Sequence, residues 1–279
     1  MQTDAVQSSR RPVLKSLLTS LTWLISLIFF FPVFWMLLIS FRAEKDAGTF
    51  PPTIIAPFTF ENWSSIFQKG AGQYLINSTI ASLVSTLLVL LLAYPAAYAL
   101  SIKPIYKNKD VLSFFLSTKF LPPIAALLPL YLIFKNLHLL DNIFALTALY
   151  VTMNLPLSVW MLRSFMKELP SELVEAAELD GASTTKILTR VLAPISAPGI
   201  SATALICFIF TWNEFLMAIN LTGFHAATGP VYLVSFITAE GLFFAHLAAV
   251  SIVVSLPVVI AGWVAQDKLV RGLALGAVK

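Results

Sequence analysis

Glu172, Glu175 and Glu178 recur at every third position of one charged stretch. At 100° per residue they share a single stripe of a helix, opposite Leu173, Val174, Ala176 and Ala177. A row of carboxylates offers charge-assisted hydrogen bonds to a basic surface. Pro170-Ser171 suits the first turn of such a helix, and the acids complement the positive end of its dipole. Asp180-Gly181 then supplies a turn, and a second helical piece is predicted from about Ser183 to a stop before Pro194 and Pro198. Amphipathicity alone fits two readings: a solvated helix lying on a surface, or a docking helix for another protein.

Two further groups stand out because their surroundings are apolar. Lys119 interrupts one hydrophobic stretch, and Trp212-Asn213-Glu214 interrupts another. An ionisable side chain in such a setting needs a partner or water. Catalytic arrangements are missing from the sequence. There is no H-E-x-x-H, no G-x-S-x-G and no pair of aspartates in facing helices, and His138, His225 and His246 are isolated. The phosphate loop G-x-x-x-x-G-K-[ST] is absent too; Gly181 to Lys186 is one residue short of it and follows no strand. Cys207 is the single cysteine and has no disulfide partner within the chain.

These groups are carried by elements that belong in lipid. Hydrophobic residues make up 58% of the 279 positions and charged residues 11%, against roughly a quarter charged in soluble domains. The net charge of +4 is scattered between apolar stretches rather than gathered on one face, which excludes a nucleic-acid partner. A bilayer core takes about 20 helical residues. Six stretches qualify, near 17–40, 75–101, 111–134, 140–165, 196–220 and 245–266, giving an all-α integral membrane fold. Arg10, Arg11 and Lys15 precede the first stretch, but it is too long for a signal-peptide core and is read as a retained helix. Pro32, Pro95, Pro122, Pro123, Pro129, Pro156 and Pro257 predict kinked, mutually packed helices.

Lys and Arg near the helix ends set the orientation. Arg42, Lys45, Lys69 and Lys135 fall on one side, Lys119 is left inside a stretch, and the other thirteen of the 18 fall on the opposite side. Both termini are therefore predicted to be cytoplasmic: an N-terminal segment 1–16, a transmembrane domain 17–266 and a C-terminal tail 267–279. The charged link 167–194 joins the fourth and fifth helices on the cytoplasmic side, and the loop from Leu221 to about Phe244 faces outward. Lys119 is predicted roughly 12 Å past the start of its helix, and Glu214 roughly 27 Å from the cytoplasmic end of the fifth. Two readings stand for each. Lys119 either snorkels to the interface or lines a pathway. Trp212, Asn213 and Glu214 either lock helices together or offer hydrogen bonds and an apolar face to a solute in the outer half of the membrane. A secondary transporter would show more helices and internal inverted repeats.

Glu175-Ala176-Ala177, three residues, Gly181, nine residues and Val191-Leu192-Ala193-Pro194 resembles the EAA signature of the membrane subunits of binding-protein-dependent ABC importers. Val191 and Ala193 replace the two usual aliphatics. Further strings are similar to the carbohydrate-importer permeases: Pro51-Pro52 with Glu61-Asn62-Trp63, Ala97-Tyr98-Ala99-Leu100, Trp212-Asn213-Glu214 and Leu269-Val270-Arg271-Gly272. Ser117-Thr118-Lys119 with Pro122-Pro123, Glu240-Gly241-Leu242-Phe243 and Gly276-Ala277-Val278-Lys279 look most like sorbitol and mannitol permeases.

That resemblance implies a six-helix permease of the bacterial inner membrane, transporting a sugar alcohol or related carbohydrate. Glu172, Glu175, Ala176, Ala177, Asp180 and Gly181 would then couple it to an ATP-binding subunit. Small alanines allow close approach there, and Gly181 permits the turn. The implied partners are a second, different permease subunit, two ATP-binding subunits and a periplasmic or lipid-anchored solute-binding protein. ATP and Mg would be used by the ATP-binding subunits, with no cofactor bound by this chain.

Overall fold

The computed structural model describes the backbone of residues 3–53, 55–103, 106–239 and 241–277, and side chains within 14–53, 55–103, 106–239 and 241–266. Most of the segments 1–16 and 267–279 therefore lies outside the described side chains, as do Glu240 and the strings beyond Gln266. In chain order the helices are α1 (Thr3–Ser40), α2 (Glu44–Ala47), α3 (Glu61–Gln68), α4 (Ala71–Ser101), α5 (Asn108–Phe120), α6 (Pro123–Asn136) and α7 (Ile143–Lys167). There follow α8 (Glu172–Leu179), α9 (Thr184–Lys186), a π-helical stretch Ile187–Leu192, α10 (Ala193–Ile195), α11 (Ala197–Trp212), α12 (Leu216–Leu221) and α13 (Gly229–Val234). A short antiparallel pair, β1 (Ile237–Thr238) and β2 (Gly241–Leu242), leads into α14 (Phe244–Ala277).

Among the described residues, four helices are long and apolar enough to cross a membrane: Leu14–Ser40 of α1, α4, α7 and Phe244–Gln266 of α14. Two bent pairs raise the number to six if each is one span. They are α5 with α6, bent by 91°, and Thr184–Ile195 with α11, bent by 84°.

The structure corrects two of the predicted stretches. The third, 111–134, is not one kinked helix. Leu121 and Pro122 both take extended ψ angles, 122° and 126°, because each precedes a proline and is pushed out of the helical region. Two prolines in a row break the helix where one would bend it. Lys119 consequently sits in the last turn of α5 rather than in a helix interior. The fifth stretch, 196–220, ends at Trp212 and restarts at Leu216, so Asn213 and Glu214 lie in a break. The helical piece from about Ser183 also runs one residue past Pro194, which directly follows the π-helical stretch Ile187–Leu192. Pro95, Pro129, Pro156 and Pro257 remain inside continuous helices.

The chain forms two units, residues 1–69 with 236–253, and residues 70–235 with 254–279. In the first, the buried Asn62 amide donates to the carbonyls of Ser40 and Arg42, at 2.9 and 2.7 Å. The Phe41 ring packs on Phe60 and Trp63, 5.4 Å from each. Glu44 accepts the N–H of Ala245 and meets Nδ1 of His246 at 2.8 Å, which fixes the first turn of α14.

In the second unit α4 packs against α7 and α11. Its inner face is a stripe of small side chains at every fourth position, Ala81, Ser85, Val89, Ala93 and Ala97, all fully buried. Its outer face carries Leu83, Leu87 and Leu91, all exposed. Lipid is as apolar as leucine, so helices gain nothing by hiding leucine from it; they gain by packing backbones closely and by hydrogen bonding, at about 0.6 kcal/mol per interhelical bond. Those bonds are present. Asn154 on α7 donates to Thr211 Oγ1 on α11 at 3.1 Å, and Thr211 meets Ser85 on α4 at 3.3 Å. Ser158 and Cys207 extend the ladder.

Candidate functional site

The α8 segment is held from behind and open in front. Val174 is buried in a cluster with Leu100, Leu112, Leu162, Met166, Ile187 and Leu192, and Ala177 is packed against the same cluster. Glu172, Glu175, Ala176 and Leu179 are exposed, Leu179 by 90%. The apolar back expected of this helix is thus narrower than its pattern suggests. Only Val174 and Ala177 turn inward, while Leu173 and Ala176 join the exposed surface. Carboxylates flanking an open leucine and alanine make a surface suited to a protein partner.

The exit from α8 is set by Gly181. Its φ of +73° places it in the left-handed region. The Gly181 N–H donates to the Glu178 carbonyl, and the Ala182 N–H reaches back to Ala177, each at 3.0 Å. This is a Schellman closure, and glycine enters it without the side-chain penalty. Asp180 is the exposed residue before it.

Beyond the turn lie the π-helical stretch and the 84° corner at Ser196. Ser196 Oγ meets the Tyr94 hydroxyl of α4 at 2.8 Å. Gly199 then lets α11 press against α7, since a Cβ there would fall 2.5 Å from Phe165. At the other end of α8, Glu178 Oε1 lies 2.5 Å from Lys103 Nζ, just past the end of α4. Their hydrogen bond and charge raise the Lys103 pKa. Gly199, Tyr94 and Lys103 carry no local sequence signal, because each acts through a partner far along the chain.

A cavity of about 340 Å³ opens at the α5/α6 break. Thr118, Lys119 and Pro123 line one wall, Thr152 and Met153 of α7 another, and Met217 of α12 a third. Among the described residues, Lys119 is the only charged one lining it. Among the described residues Lys119 has no ion pair, and its place in the last turn of α5 complements the negative end of that helix.

Trp212, Asn213 and Glu214 do not line this cavity. Trp212 is buried, and its indole N–H donates to the Val254 carbonyl at 2.8 Å. Asn213 is exposed, and its amide donates to the Ile209 carbonyl. Glu214 accepts the backbone N–H of Met217 at 2.8 Å and of Ala218 at 3.1 Å, and the Tyr150 hydroxyl at 2.9 Å. Its carboxylate therefore starts α12 and ties that helix to α7, fixing Met217 where it closes the cavity.

On the loop between α6 and α7, Asp141 accepts the backbone N–H groups of Gly223, His225 and Ala226 at 2.8 to 3.1 Å. Asn77 and Ser78 of α4 secure the same segment through His225, Ala227 and Gly229. Burial opposes the Asp141 charge, but the three N–H groups outweigh it and hold the carboxyl below its usual pKa. A depressed carboxyl stabilises above its unfolded pKa, about 3.9, and loses that contribution as pH falls through the native value. The Gly223, His225 and Ala226 amides are therefore expected to be protected from hydrogen exchange at pH 6 and progressively released below about pH 4, whereas Asp141→Asn is expected to release them at both. Equal protection at pH 6 in wild type and Asp141→Asn would count against this anchor.

Residues 7–270 match the family of the binding-protein-dependent transport system inner membrane component. The chain is 35% identical over 277 residues to the probable ABC transporter permease protein y4oR of Sinorhizobium fredii, covering 99% of this chain and 100% of that protein. It is 33% identical over 256 residues to the trehalose transport system permease protein SugB of Mycobacterium tuberculosis, covering 89% and 92%. Its fold is similar to the crystal structure of a bacterial ABC transporter involved in the import of the acidic polysaccharide alginate, with TM-score 0.73 and 21% identity over 96% of this chain and 98% of that one. The chain thus belongs to the family of binding-protein-dependent inner membrane components, and is a multi-pass permease subunit of an ABC importer rather than an enzyme.

Proposed function

We propose that this chain is one of two different membrane subunits of an ATP-driven carbohydrate importer whose solute is a sugar alcohol or a related sugar. The observation that carries the reading is the open face of α8. Glu172, Glu175, Ala176 and Leu179 point away from the chain's own packed cluster, as a helix seated on an ATP-binding subunit requires. In this reading each bent pair is one span, both termini are cytoplasmic, and α8 sits between the fourth and fifth spans. Two ATP-binding subunits contact the cytoplasmic side and a periplasmic or lipid-anchored solute-binding protein contacts the other. ATP and Mg belong to the ATP-binding subunits. The exposed apolar side chains along α1, from Leu14 to Phe34, are then covered by lipid or by the second membrane subunit.

The choice of solute is supported by where the polyol-permease strings fall. Thr118, Lys119 and Pro123 line the cavity, so residues resembling sorbitol and mannitol permeases stand where a solute would pass. A polyhydroxylated solute needs donors and acceptors there, which Lys119 and the two threonines provide. The relative named for trehalose transport makes a disaccharide the next solute to test.

The assembled importer in proteoliposomes tests both parts. Uptake of labelled sorbitol or mannitol is expected to need internal or external ATP at the nucleotide side together with the solute-binding protein; uptake that follows an ion gradient without ATP would overturn the reading. Saturable uptake of trehalose alone would keep the importer and overturn the polyol. Lys119→Met is expected to cut uptake about tenfold, the worth of one hydrogen bond to a charged group, with assembly unchanged. Normal uptake in that variant would leave Lys119 as a complement to the α5 helix end only.

A further inference from the structure

α8 is joined covalently to α7 through residues 168–171 and to α11 through residues 180–196. No such link reaches α4 or α5, although α5 ends in Lys119 at the cavity. Among the described residues, two features link α8 directly to that part of the chain. One is apolar, with Val174 sharing a cluster with Leu100 and Leu112. The other is the ion pair between Glu178 in the last turn of α8 and Lys103 just beyond α4. An apolar contact transmits a push and slides under shear, whereas an ion pair also resists separation.

The end of α4 is in turn locked to its neighbours. The Leu100 carbonyl accepts Nδ2 of Asn108, the first residue of α5, at 3.2 Å, and Nε of Arg163 of α7 at 2.9 Å. Whatever displaces the α4 terminus therefore carries the start of α5 with it.

We propose that the Lys103–Glu178 pair is the contact through which displacement of α8 reaches α4 and the α5 half-helix that ends at the cavity; this rests on α8 being the docking helix. Lys103 and Glu178 are positioning residues that touch neither solute nor nucleotide. Their side chains are 54% and 41% exposed, so the pair adds little to stability, and its loss separates coupling from folding.

The test uses the whole importer in proteoliposomes, with Lys103→Glu, Glu178→Lys, the double exchange and Glu175→Lys compared. Each single reversal is expected to keep the ATP-binding subunits bound and ATP hydrolysis running while solute moved per ATP falls about fivefold, the low end of measured couplings between sites. The double exchange is expected to restore it to within about twofold. Unchanged transport per ATP in the single variants, or no recovery in the exchange, overturns the proposal. Release of the ATP-binding subunits by Glu178→Lys also overturns it, because Glu178 would then engage the partner. Failure of the docking reading is seen separately, as Glu175→Lys retaining the ATP-binding subunits.

Discussion

Glu175→Lys is expected to release the ATP-binding subunit and abolish uptake while leaving the membrane subunit folded. Glu175 is exposed on the open face of α8 and has no described ion-pair partner within the chain, so the substitution breaks no described ion pair. Against a basic groove it replaces attraction by repulsion, worth about 3 kcal/mol or roughly a hundredfold in affinity. Gly181 offers a graded companion. Nothing lies within 4 Å of a Cβ placed there, and φ is +73°, so the cost of a side chain is backbone strain of about 1–2 kcal/mol rather than a clash. Gly181→Asn, which tolerates the left-handed region, is expected to keep more uptake than Gly181→Val. Co-purification and uptake measured together decide the matter: if Glu175→Lys and Gly181→Val both leave them unchanged, α8 does not dock.

Glu214→Ala is expected to lower thermal stability and assembly rather than to change solute choice. The substitution strands the Tyr150 hydroxyl and the N–H groups of Met217 and Ala218. At about 1–3 kcal/mol for each unsatisfied buried group, the loss is about 3 kcal/mol when all three stay dry, and less where water reaches them. Glu214→Gln keeps one acceptor and is expected to fall between Ala and wild type. A Glu214→Ala importer that assembles, melts normally and takes up a different solute would reverse this assignment and return Glu214 to the pathway.

How far the fold can be read from the sequence depends on how local each cause is. The stretches that become α4, α7 and α14 are long apolar runs, and their existence follows from composition alone. Gly181 and the acidic stripe of α8 are also local, which is why turn and helix can be placed from residue spacing. The 91° break was visible as Pro122-Pro123, yet a proline pair and a kink look alike until the two extended ψ angles are known. At Asn213 there is neither proline nor glycine. In that break Glu214 meets Tyr150, 64 residues away, and no local propensity records such a meeting. Lys103 with Glu178 and Gly199 with Phe165 are hidden for the same reason. The apolar back of α8 was overcounted because a helical wheel assigns a residue to a face without knowing how wide a cluster awaits it.

The stripe of Ala81, Ser85, Val89, Ala93 and Ala97 gives α4 two faces with unequal freedom to drift. Leu83, Leu87 and Leu91 are exposed on the outer face, so a bulky apolar replacement is expected to be tolerated there. On the inner face each extra methylene must displace a packed neighbour, so substitution there is expected to be costly. The side chains that look least informative in this helix are the ones that record its partners, and the conspicuous leucines record only that it lives in oil.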